Sequence, residues 1–152
     1  MTDPDDGWAV AAARLRSGVP LAEACANLPA HHAAWVLERW SGSLVDLVEV
    51  APGASVLIVR EVPGGELAHA VAAGANVRLR SGAASHQEFV EAWLPKAEQA
   101  SPPWDLVVLG DGVRWGSQSF RSELREIVAD LSPGGQVMAV ADNAYNPLRA
   151  LD

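Results

Sequence analysis

Cysteine is almost missing: Cys25 is the one thiol in 152 residues, so the chain can close no internal disulfide and build no cysteine-based metal site. Lysine is equally scarce, with Lys96 alone, and 19 acidic residues against 11 basic ones leave a formal net charge of -8. A surface of that sign repels phosphate polyanions, and the arginines are scattered rather than gathered into a stripe, which argues against nucleic acid as a partner. Long apolar runs are absent too. Runs such as that around residues 54–59 fall far short of the roughly 20 residues that cross a bilayer, and no charged-then-apolar leader is expected at the start of the chain. The expectation is no membrane and a reducing, cytoplasmic setting. His31, His32, His69 and His86 never fall at i, i+4 with a carboxylate as a helical metal site requires, so no metal is expected. Gly-x-Ser-x-Gly elbows and Walker loops are missing as well.

What remains is 49% hydrophobic and 20% charged, the profile of one compact domain. Residues 1–51 read as a helical segment. Trp8, Ala11, Ala12 and Leu15 recur at helical spacing, as do Leu21, Ala24, Cys25 and Leu28 after Pro20. A third helix after Pro29 carries His31, His32, Trp35, Val36 and Trp40, and a fourth is expected from Ser43 to before Pro52-Gly53.

Beyond Pro52-Gly53 the period changes. Ser55 to Val59 is a β-branched and aliphatic run that suits a strand buried on both faces of a parallel sheet. Pro63-Gly64-Gly65 turns the chain into an apolar helix over Glu66 to Ala73, closed by Gly74 in a left-handed cap. Asn76 to Arg80 is a weaker strand. Ser85 and Glu88 have capping-box spacing ahead of Phe89, Val90, Trp93 and Leu94, and Pro95 ends that helix. Asp105 to Leu109 forms the next strand; Phe120, Leu124, Ile127, Val128 and Leu131 mark one helix face; Ser132-Pro133-Gly134-Gly135 then turns into a strand over Gln136 to Ala141. This alternation predicts an α/β fold: a short Rossmann-like parallel sheet over residues 52–152 with helices on both faces, packed as one unit with the N-terminal helical segment.

The stretch from Trp104 to Val113, followed by a helix and then Leu131 to Val140, resembles the fourth and fifth strands of class I S-adenosylmethionine (SAM) dependent methyltransferases, and Val56 to Ala68 sits where that family keeps its first strand and glycine-rich loop. The resemblance covers roughly residues 52–147. It implies a SAM pocket around Glu61, Gly64, Gly65, Ser81, Asp111 and Gly112, with Asp111 the candidate for chemistry at the carboxyl end of a central strand. Departures are concentrated in the positions that would hold the cofactor. Val59 stands at the acid of the loop motif, Glu61 and Pro63 at its first two glycines, and only Gly65 matches the third. Arg80 and Ser81 stand where the ribose-binding acid is expected, Arg114-Trp115 replaces the frequent Glu-His, and one βα unit and the terminal hairpin are missing.

Each feature has a plainer counterpart. Pro63-Gly64-Gly65-Glu66 serves equally as a strand-to-helix turn, Asp111-Gly112 as an Asp-Gly turn, and Arg80 as a solvated strand end or ion-pair partner. Glu61 and Glu66 put negative charge at a helix N-terminus, which disfavours phosphate ligands. Trp8, Trp35, Trp40 and Trp115 suit either an aromatic surface or core packing. Two functions follow. One is a methyltransferase-like domain degenerate in SAM binding, acting as scaffold, regulator or partner-binding module; the other is an active SAM-dependent methyltransferase with a divergent pocket for a small molecule. The first implies a protein partner, a homo-oligomer or a further domain, docked on the edge near residues 136–141 or on the Trp35 and Trp40 surface.

Overall fold

The computed structural model describes residues 4–37, 48–60, 62–81, 83–95, 97, 100–110 and 118–139. Three helical pieces come first, α1 (Pro4–Arg16), α2 (Leu21–Ala24) with a 3-10 turn (Cys25–Asn27), and α3 (Ala30–Leu37). The sheet region follows as β1 (Ser55–Val59), α4 (Gly65–Ala72), β2 (Asn76–Arg80), α5 (Ala84–Trp93), β3 (Trp104–Leu109), α6 (Gln118–Ala129) and β4 (Leu131–Ala139). All four strands are parallel, in the order β2-β1-β3-β4. The α/β sheet flanked by helices is the architecture that the alternating periods predict.

Side-chain alternation along β1 divides the core. Val56 and Ile58 join Val77, Leu79, Leu106 and Val108 in one cluster, which also takes in Leu67 of α4 and Phe89 of α5. Leu57 and Val59 join Val107 and Leu109 in a second cluster closed by Phe120 and Ile127 of α6. The N-terminal helices belong to the first cluster. Trp8 is 1% exposed and packs edge-on against both His86 and Phe89, each at a ring separation of 4.9 Å, so its role is core packing.

Several sequence expectations shift. Gly74 does take positive φ, but α4 starts one residue early at Gly65 and ends at Ala72. Ser85 is no N-cap: that place belongs to Ala83, with no side-chain cap bond, because the backbone is already helical at Ala84. Val128 is not on the buried face of α6 but 52% exposed, and Leu131 has left the helix to begin β4. Residues 48–51 are not helical, and residues 43–47 of the expected fourth helix lie outside the described residues, as does Trp40. The last strand begins five residues before Gln136 because Ser132 to Gly135 bulges out within it: Trp104 pairs with Leu131 and Leu106 with Gln136. Residues 140 and 141 of that expectation also lie outside the described residues.

Candidate functional site

In an open parallel sheet, ligands bind beyond the carboxyl ends of the strands, at the point where successive connections leave in opposite directions. Here β1 connects outward to β2 while β3 lies on its other side, so that point is the crevice between β1 and β3. Its floor is level. The Arg60 amide donates to the Arg80 carbonyl at 3.2 Å and the Gly110 amide to the Val59 carbonyl at 2.9 Å, carrying the ladders one residue past β1 and β3.

Arg60 occupies the crevice. Its side chain lies against Gly110, where a β-carbon would sit 3.1 Å from the Arg60 Cβ and 3.5 Å from its Nε. The guanidinium then reaches back over the turn and forms an ion pair, Nη1 to Oε1, with Glu66 in the first turn of α4. The two side chains are only 5% and 4% exposed. Gly64 lies beneath them, and a β-carbon there would collide with both the guanidinium and the carboxylate. A side chain at position 64 would have to displace the ends of the Arg60 and Glu66 side chains from where they now meet. Above, the indole of Trp35 in α3 covers the guanidinium, with its centroid 5.5 Å from Cζ, and is itself held by His31 and His32 at 5.6 Å each. Arg60 Nε and Glu66 Oε2 are buried without a hydrogen-bond partner.

No protein family, curated protein or solved structure matches this chain. The site therefore rests on its own geometry.

Of the residues singled out from the sequence, Gly64 is buried at the N-cap of α4 and Gly65 is buried as its first residue. Ser81 follows β2, half-buried, with its hydroxyl donating to the Ala83 carbonyl at 3.3 Å. Arg80 makes the ion pair weighed for it, reaching Glu123 of α6 at 3.3 Å. Glu61, Asp111 and Gly112 lie outside the described residues, as do Arg114 and Trp115. Trp35 is half-buried over Arg60, which ties it to the crevice. The sequence reading missed Arg60. The signal was a charged residue placed directly after four buried apolar ones and two residues ahead of Val62-Pro63-Gly64-Gly65.

At the opposite end of the sheet a depression of about 450 Å³ is bordered by Glu49, Pro52 and Asp105. Asp105 accepts hydrogen bonds from the Ser55 amide at 2.9 Å and the Ser132 hydroxyl at 2.7 Å. These two bonds, the amide first, hold its carboxyl below the usual 3.8. Since one bond comes from the start of β1 and the other from the bulge of β4, Asp105 fastens both neighbours of β3. Its role is structural. Burial pushes the Cys25 thiol up to about 11, which leaves it protonated and unreactive at neutral pH. Among the described residues no cluster of His, Cys, Asp or Glu could hold a metal, and no helix is long and apolar enough to cross a membrane.

Proposed function

We propose that the chain is a methyltransferase-like Rossmann domain whose cofactor crevice is filled by its own side chains, and that it works as a scaffold or partner-binding module. The observation that carries this reading is the buried Arg60–Glu66 pair beneath Trp35, seated at the β1–β3 switch point where a sheet of this kind would otherwise receive a ligand. The residues present do not suit SAM. Its methionine portion would need the space above Gly64 that the guanidinium and the Glu66 carboxylate already fill. Its sulfonium would also meet the Arg60 guanidinium, and the charge of the Glu66 carboxylate that could attract an ammonium group is already balanced by Arg60 through Oε1. The missing loop acid at Val59 and the absence of an acid at Arg80-Ser81 point the same way.

A ligand that binds only the native state stabilises it by RT ln(1 + [L]/Kd), so a micromolar site at millimolar SAM would add about 4 kcal/mol. The expected result is a melting temperature unchanged by millimolar SAM. A saturable upward shift would favour the active methyltransferase instead.

A further inference from the structure

The apolar surface of helix α6 extends beyond what the described residues bury. Phe120 and Ile127 are buried against β1 and β3. Leu124 leans half-buried on the same core, and with Arg121, Arg125 and Val128, at the i, i+3, i+4, i+7 spacing of a single helix face, and Ala129 it lines an open groove of about 470 Å³. Val128 is 52% exposed. Val137 of β4 is 40% exposed, and it pairs with Val107, whose side chain belongs to the cluster beneath α6, so the described residues also leave the sheet face beside the helix incompletely covered.

Charge decides what fits there. The chain carries a net charge of -8, yet this face presents two exposed arginines one turn apart, and neither forms an ion pair with a described residue. Glu123 is turned away to Arg80, and Glu126 falls on the other side of the helix. We propose that this groove is the docking site for an acidic amphipathic helix of a partner protein, a proposal that rests on the partner-binding reading above. The apolar row Leu124–Val128 and the row Arg121–Arg125–Ala129 are the two ridges between which a partner helix seats its apolar side chains, with its carboxylates on the guanidinium groups and its closest approach at Ala129. A second copy of this chain fits poorly. A two-fold contact through α6 would set arginines against arginines. An anionic bilayer is disfavoured because its extended charged plane would meet the wider acidic surface of the chain, whereas a helix seated in the groove meets the arginines locally, within a screening length.

The test uses the full chain and a fluorescein-labelled helical peptide of leucine, alanine and glutamate, with glutamates at i and i+4 flanking the leucine row. Fluorescence anisotropy should give saturable binding that weakens with salt and falls roughly tenfold or more in the Arg121→Glu/Arg125→Glu variant, equivalent to about 1.4 kcal/mol or more. That variant should in turn gain affinity for a peptide with lysine in place of glutamate. Val128→Asp should abolish binding while leaving the far-ultraviolet circular dichroism unchanged, since its side chain is exposed. No saturable binding by the unaltered chain, binding indifferent to the charge reversal, or a self-association that the same variants abolish would overturn the proposal. SAM titrated into the same samples separates the two ideas: a chain that binds SAM and the peptide refutes the filled crevice alone, and one that binds neither refutes the groove alone.

Discussion

Arg60 and Glu66 form an ion pair that is buried almost completely, and such pairs are asymmetric in their energetics. Removing one partner strands a charge in a place that water does not reach, whereas replacing both with apolar groups of similar volume removes the desolvation cost along with the attraction. Arg60→Ala should therefore lower the unfolding free energy by about 3–5 kcal/mol in urea titration, while Arg60→Met/Glu66→Leu should lose less than half of that. Equal losses in both would show that the pair is not buried as described. At the other end of β3, Asp105 makes a claim about pH. Its carboxyl is held below the ordinary 3.8 by the Ser55 and Ser132 hydrogen bonds, so it contributes stability that is fully present above 3.8 and is lost as the pH falls through the lowered value. Asp105→Asn should be less stable than the parent at neutral pH, and the gap between them should close as acid denaturation is followed below pH 3.8. Neither pairing is legible in the sequence. Arg60 meets Glu66 only once the β1–α4 turn is folded, and Asp105 meets Ser55 and Ser132 only once the strand order is known.

Among the elements, the strands were the most readable because β1 and the inner part of β3 are buried on both faces and so consist of uninterrupted apolar residues. The weaker pattern of Asn76 to Arg80 has a structural cause: among the described residues β2 pairs with β1 alone, and Arg78 and Arg80 face away from the buried Val77 and Leu79. Ser132-Pro133-Gly134-Gly135 was legible as a turn, though it proves to be a bulge within β4. The distinction depends on Trp104, which pairs with Leu131 before the bulge and so recruits it to the sheet. Gly135 is the tight point of that bulge. A β-carbon there would lie 2.7 Å from the Trp104 carbonyl oxygen and 3.0 Å from that of Ser132, both backbone atoms that cannot step aside cheaply. Gly135→Ala should destabilise the protein by about 1–3 kcal/mol in the same denaturation assay. Gly134 has φ +83 but open space around it, so Gly134→Ala should cost less, through backbone strain alone.

For the molecule as a whole, the α/β architecture followed from period and punctuation, while its site did not, since the residues expected to bind a cofactor were chosen by their position relative to strands. That positional logic pointed to the carboxyl ends of the strands, where Gly64 lies against the Arg60–Glu66 pair. What it could not reveal is that the occupant of the crevice comes from the chain itself: a guanidinium from the end of β1, a carboxylate from α4 and an indole from the N-terminal helices. The helical segment is thus part of the site, because Trp35 closes over Arg60. A crevice filled in this way cannot accept the ligand that its position suggests. Isothermal calorimetry with SAM and with S-adenosylhomocysteine titrated into the full chain measures this directly. The filled crevice predicts heats indistinguishable from dilution for both compounds up to millimolar concentration; a saturable isotherm with either one, at one site per chain, would contradict it.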